Sequence, residues 1–321
     1  MSHRIDQMAY TGAAPWHKLG SALPANQPIE VWAEKAGMNW EIKDTPVCFQ
    51  THDSTGEQVH PFQDQRVLYR SDNLLPLSVV GSRYQVVQPM EVLEFYRDLT
   101  EVSGYQLETA GVLKGGKKFW ALARTGQSTA LKGNDVVNGY VLLATSCDGT
   151  LATTATPTTV RVVCSNTLSV ALRDMSQGIR VSHSTAFDAQ AVKNRLGIAV
   201  SQWDEFMYRM KALSERKVKP KESEAFFSRL LQPRQDQPTQ LEVPGQERAI
   251  QKLLTLYSGH GRGAELGAAK DTAWGLLCAV TEFVDHERRA RSTVHRLDSA
   301  WFGQGALLKQ RALDSSLQLL A

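Results

Sequence analysis

Cysteine is scarce in this chain and scattered. The four in 321 residues, Cys48, Cys147, Cys164 and Cys278, form no Cys-x-x-Cys pair. A thiolate zinc site is therefore not expected, and reduced thiols in a cytosolic protein are the simplest reading. Long apolar runs are missing too, which removes a membrane-spanning helix from consideration. The opening twenty residues hold no apolar stretch of the kind a secretory leader carries, so a cytoplasmic location is expected. The eight histidines never fall into His-Glu-x-x-His or His-x-x-x-His, no Gly-x-Ser-x-Gly elbow occurs, and no pair of carboxylates stands out. No reaction is nominated by what remains. The reading is of a protein with no catalytic residues, no metal and no cofactor. His52 and His60, which share a polar stretch with Asp53 and Glu57, mark where a metal would be sought.

Charge of one sign is also lacking: the formal net charge is only +3, with 21% charged and 42% hydrophobic residues. This is the composition of a globular protein with an ample core. The sum matters less than the distribution, because two stretches are locally basic. Residues 208–221 carry Arg209, Lys211, Arg216, Lys217, Lys219 and Lys221, and residues 285–296 carry Arg288, Arg289, Arg291 and Arg296. Such runs are ordinarily solvated faces, and they are also the footprint of a nucleic-acid binder.

The spacing of apolar residues predicts an α+β chain. Residues 1–27 read as a loop-rich arm. A helix is expected from Pro28 to Gly37 and a strand from Trp40 to Gln50, followed by a polar loop over residues 51–65. Strands follow at 66–70 and 74–81, a helix from Pro89 to Val102, and a hairpin over 105–124 turning at Lys114-Gly-Gly-Lys117. Two more strands cover 138–149 and 151–164. Residues 28–186 thus form an α+β core, an antiparallel sheet with packed helices. The periodicity changes near residue 186, and residues 187–321 read as mainly helical, with a loop or linker at 232–246.

Four stretches bear on chemistry. Gly111 to Lys117 fits Gly-x4-Gly-Lys but has Lys118 where a magnesium-binding hydroxyl is needed, and strands flank it on both sides; a tight hairpin that gathers Lys114, Lys117 and Lys118 is the better reading. Gly259-His-Gly-Arg-Gly263 precedes a helix and reads either as a connection or as an anion site using Arg262. In TPTTVRVVCSNTLSVAL, residues 156–172, Cys164 stands either as a nucleophile at a helix N-terminus or as the buried end of a strand, with Ser165 or Asn166 capping a helix that begins near Thr167. Arg161, alternating with Val160 and Val162, is read as facing a groove or solvent.

Pro15 to Gly20, VVGSRYQVVQP (79–89), GGKKFWALAR (115–124), TPTTVRVVCSNTL (156–168) and the segments 273–291 and 299–313 together resemble the phage/plasmid-like protein family, a domain of unknown function carried by phages and plasmids. The order of elements is also similar to the RecT and Redβ type of single-strand annealing proteins, which hold single-stranded DNA in a basic groove and form rings or filaments. The resemblance implies a non-enzymatic, oligomeric protein in the host cytoplasm that binds or anneals single-stranded DNA. Charge and aromatic placement nominate Lys114, Lys117, Lys118, Arg124, Arg161, Lys217 and Arg262 for the phosphates, and Trp120 for the bases, with Phe119 and Tyr84 as further aromatics. The alternative is a mobile-element factor that acts on a host protein.

Overall fold

The computed structural model describes residues 7–12, 20–53, 56–161, 166–169, 178–201, 203–232 and 246–320. The chain begins with two short parallel strands, β1 (Gln7–Thr11) and β2 (Ser21–Leu23), and a helix α1 (Ile29–Lys35). A three-stranded antiparallel sheet follows: β3 (Ile42–Asp53), β4 (Gly56–Arg70) and β5 (Pro76–Gly81), with β4 in the middle. Helix α2 (Pro89–Ser103) has Pro at its first turn and a left-handed Gly104 at its end.

The larger sheet is then built by β6 (Gln106–Leu113), β7 (Lys118–Leu131), β8 (Asp135–Ser146), β9 (Thr153–Arg161), β10 (Asn166–Ser169) and β11 (Ile179–Val181). Its order is β10-β9-β8-β7-β6-β1-β2, with β11 also on β9. Helices α3 (Ala189–Ser201), α4 (Trp203–Glu215), α5 (Pro220–Leu231), α6 (Gln246–Thr255), α7 (Ala273–Glu282), α8 (Thr293–Phe302) and α9 (Gln304–Gln318) complete the chain. The architecture is α+β, as the apolar spacing predicts.

Two compact units result. The first comprises residues 1–126, 141–156 and 177–197, and the second 127–140, 157–176 and 198–321. The division expected at residue 186 is thus interleaved in sequence, because β7, β8 and β9 each contribute residues to both units. In the first unit Trp32, Met38, Phe95, Tyr96, Phe119 and Leu143 are buried to within 2% of complete. The Tyr96 hydroxyl, on α2, reaches three backbone groups at once: it lies 3.0 Å from the carbonyls of Ala121 and Val141 and accepts from Leu143 N–H at 2.9 Å. The second unit packs Phe206, Met210 and Leu213 of α4 and Phe227 of α5 with Leu276 and Leu277 of α7 and Leu313 of α9.

The structure corrects three sequence expectations. The polar loop at 51–65 is a hairpin: β3 and β4 pair without interruption from Val47↔Phe62 to Asp53↔Gly56. Its side chains show no buried alternation because both faces meet solvent, so the backbone ladder holds strands that hydrophobic periodicity does not report. Asn166 caps no helix, since residues 166–169 turn back and pair antiparallel with Arg161–Thr158. The helix expected after Gly259–Gly263 starts only at Ala273, where the Thr272 hydroxyl accepts the Gly275 N–H at 3.1 Å. Cys164 lies outside the described residues, as does most of the 232–246 stretch.

Candidate nucleic-acid interface

The lysine turn joins β6 to β7 and belongs to the first unit. Lys114, Gly115 and Gly116 have successive positive φ angles of 57°, 72° and 99°. Gly116 is required twice over. Its φ disfavours any side chain, and a Cβ there would stand 3.0 Å from the Trp40 ring and 3.2 Å from the Arg70 guanidinium. The close approach brings a third cation to the turn that carries Lys114 and Lys117. Arg70, near the end of β4, lies 4.1 Å over the Trp40 ring and gives two hydrogen bonds, at 2.9 and 2.7 Å, to Asp72. The hydrogen bond from Arg70 holds the Asp72 carboxyl below its usual range. Arg70 is therefore a preorganised cation, held by a ring and a carboxylate. Beneath the turn, burial pushes the Cys147 thiol up to about 12, and its sulfur lies 3.6 Å from the carbonyls of Gly116 and Lys117. That thiol is buried in the packing beneath the turn.

The other nominated residues of this region divide sharply. Lys118 is only 5% exposed; near it, against the raising effect of burial, hydrogen bonds from Thr150 lower the Asp148 carboxyl, with a smaller contribution from the Lys118 charge. Trp120 and Phe119 are each 1% exposed. None of the three meets solvent, because β7 is covered on both faces along Lys118–Ala123. Tyr84 donates from its hydroxyl to Ser146 O at 2.8 Å and has its ring stacked on His183 at 4.5 Å, so that face is taken. Arg124 is half-buried.

The distal part of the β3–β4 hairpin, here termed the arm, carries the aromatics that the surface does offer. Cross-strand partners point to one side of an antiparallel pair. Val47↔Phe62, Phe49↔His60 and Thr51↔Gln58 therefore share one face, and Cys48↔Pro61, Gln50↔Val59 and His52↔Glu57 share the other. On the first face the Phe49 and His60 rings stack at 5.2 Å, the His60 Nε2 is 2.9 Å from the Thr51 hydroxyl, and Phe49 and Phe62 remain 51% and 45% exposed. His52 and His60 fall on opposite faces, which separates the two histidines proposed as joint metal ligands. Among the described residues no three His, Cys, Asp or Glu side chains are grouped to hold a metal ion.

In the second unit, Arg161 is 3% exposed and faces neither groove nor solvent. Its Nε and Nη2 give a bidentate pair, both at 2.7 Å, to Asp135, which is fully buried, and it also donates to the carbonyls of Arg262 and Gly263 at 3.1 and 2.8 Å. The Trp274 indole N–H donates to the same Asp135 carboxylate at 2.9 Å. The Gly259–Gly263 loop is pinned by these bonds and by Arg262 N–H donating to Glu282 at 2.9 Å. Arg262 itself is exposed, 3.2 Å from His286 Nε2 and 3.9 Å from Glu282. A second buried pair, Lys309 to Asp285 at 2.9 Å, lies on α9 and the turn after α7. Lys217 is exposed in the connection between α4 and α5, with its ammonium donating to Lys270 O at 3.0 Å.

Of the nominated residues, Lys114 and Lys117 are therefore brought together in the first unit with Arg70, whereas Lys118, Trp120 and Arg161 are withdrawn into packing. Sequence reasoning missed Arg70 and the pair Phe49 and Phe62. The available signal was the alternation Val47-x-Phe49-x-Thr51 answered across Gly56 by Gln58-x-His60-x-Phe62.

The fold is thus an α+β chain whose first unit carries a cationic turn and an exposed aromatic hairpin. The family model described as "Domain of unknown function (DUF932)" matches residues 76–301, and the chain belongs to that family. The match begins at β5, so the arm precedes it. Neither the curated proteins nor the solved structures contain a match to the chain.

Proposed function

We propose that this protein binds single-stranded DNA, without catalysing a reaction, as an oligomeric protein of a phage or plasmid. The observation that carries the reading is the convergence of Lys114, Lys117 and Arg70 at the glycine turn, three cations on a rigid element where a phosphate backbone can be held. The resemblance of the chain to the phage/plasmid-like family, and of its order of elements to the RecT and Redβ type of annealing protein, points the same way. Arg124, Lys217 and Arg262 are further candidates for phosphate contact. The test is fluorescence anisotropy with a labelled oligothymidine across a salt series, with mass photometry of the same samples. Binding that weakens steeply with salt and a shift to larger particles support the reading; no binding at low salt overturns it.

A second reading is favoured by one observation. Leu74, Leu75 and Val79, at the β4–β5 turn and on β5, are 73%, 55% and 55% exposed, and Leu74 holds φ at 59°. Apolar side chains on such a turn suit a protein partner, in keeping with a factor that acts on a host protein. Retention of a stoichiometric host protein from nuclease-treated lysate, lost in Leu74→Asp, supports it.

A further inference from the structure

We infer that the aromatic face of the arm, Phe49, His60 and Phe62, is a stacking platform for the bases of an unpaired nucleic-acid strand. The inference deepens the reading above and depends on it. There the phosphates are held at the lysine turn; here the bases are given their own surface, on β3 and β4, the second of which delivers Arg70.

The choice of occupant follows from what the arm excludes. An exposed two-stranded hairpin offers two ways to bind: its edges, by strand addition, or its faces. Both edges carry a proline. Pro61 lies within β4, paired with Cys48, and Pro46 lies within β3, paired with Arg66. A proline has no N–H to give, so it sits in a paired strand only with its nitrogen turned to the outer side. Pro46 thus blunts the free edge of β3. Pro61 blunts the edge of β4 at a point that β5, which pairs only with Gln65–Tyr69, does not cover. Strand addition by another chain is opposed on both sides, and the faces are left.

The two faces differ. One is polar or small but for Val59: Cys48, Gln50, His52, Glu57, Val59 and Pro61. The other presents two phenylalanine rings with a histidine between them, held by the Phe49–His60 stack and the hydrogen bond to Thr51. That face is small. Seven residue pairs at about 3.4 Å and two strands about 4.8 Å apart give an area of roughly 230 Å². A stable protein interface needs about 800 Å² on each partner. The face is too small to hold a second copy of the chain by itself, and it fits two or three bases, each of which has a flat π surface. The charges suit a strand as well, because Arg70 lies beyond Phe62 along β4 and carries the path from the arm toward the lysine turn, whereas Arg66 is engaged by Asp44 and the Tyr84 carbonyl.

The test uses the full chain and labelled oligothymidine. Three variants are compared with the parent by anisotropy over a salt series: Phe49→Ala/Phe62→Ala, Phe49→Leu/Phe62→Leu and Phe49→Trp/Phe62→Trp. Loss of two stacked bases predicts a fall in affinity of at least about 30-fold in the alanine variant with the salt slope unchanged. The leucine variant, equally apolar, should fall nearly as far, and the tryptophan variant should match or exceed the parent. Parental binding by the alanine or leucine variant overturns the platform while the phosphate reading stands. Failure of the parent itself to bind at low salt overturns both. Unchanged binding with altered particle mass in the alanine variant assigns the face to a second copy and overturns the inference. Phe49 and Phe62 are exposed and lie outside the buried core, and circular dichroism confirms that each variant is folded.

Discussion

Lys117 and Arg161 look alike in the sequence: each is a cation beside a strand, in a stretch that resembles one family. In the structure they belong to opposite regimes. Lys117 stands half-buried on a turn near Arg70, in a unit whose arm turns aromatic side chains outward. Arg161 is enclosed, bonded twice to Asp135 and twice to backbone carbonyls, in a unit that also buries Asp285 with Lys309. Arg161, enclosed with its donors on a buried carboxylate and two carbonyls, does not reach a phosphate, whereas Arg70 gives two donors to a carboxylate at the surface. The first unit leaves cations and aromatics at its surface, and the second uses them to fix its own loops.

The comparison is broken most severely by Asp135→Ala. Removing the carboxylate leaves Arg161 and the Trp274 N–H without their partner in the interior, and unfolding in urea should show a loss of about 3–5 kcal/mol. Asp135→Leu with Arg161→Met should recover much of that loss; a single variant as stable as the parent would remove the pair from any structural role. In the first unit the corresponding polar anchor is neutral. Tyr96→Phe deprives the Leu143 N–H and two carbonyls of their shared hydroxyl and should cost about 1–3 kcal/mol in the same assay.

Lys114→Ala with Lys117→Ala sharpens the contrast from the other side. Stability should change by no more than about 0.5 kcal/mol, since the residues lie outside the core. The slope of log affinity for single-stranded DNA against log salt should fall by up to about 2. A large loss of stability with no change in slope would place these lysines in the same regime as Arg161.

The smallest effect concerns Glu282. Burial raises its carboxyl above the ordinary value, against the Arg262 N–H and charge, which lower it. A carboxyl raised on folding contributes stability at low pH that is lost as pH rises from the ordinary carboxylate value through the raised one. Glu282→Gln should therefore show a flatter melting temperature over that window, and the parent should gain on the variant toward acid. Parallel profiles would show that Glu282 does not titrate differently in the fold.

These contrasts explain what was legible in the sequence. Helices such as α2, opened by Pro89 and closed by Gly104, and strands such as β9 declared themselves because burial on one side imposes a period, and β8 because it is an apolar run buried on both faces. The glycine turn was legible from Lys114-Gly-Gly-Lys117, since consecutive positive φ angles have few other solutions. The arm was not, because both of its faces meet solvent and the short alternation Val47-x-Phe49-x-Thr51 runs into a polar stretch that reads as a loop. Arg161 was misread because the partner that removes it from solvent, Asp135, is distant in sequence and the spacing of the strand alone does not say which face is inside. Asn166 shows the limit of capping rules: the same Ser-Asn-Thr that suits a helix start also suits the return of a strand onto β9.

The arm has one further property, which comes from the irregularity between Pro46 and Val47. There the partner on β4 jumps from Arg66 to Phe62, so Gln63, Asp64 and Gln65 have no opposite residue on β3. Everything beyond that point is paired only with itself. Removing one residue pair from the arm reverses its faces, and removing two restores them, so its length is a ruler graduated in steps of two. If bases lie along it, the number of nucleotides occluded by each chain should be set by those graduations, and lengthening the arm by two pairs should enlarge the footprint while the residues below the irregularity keep their places.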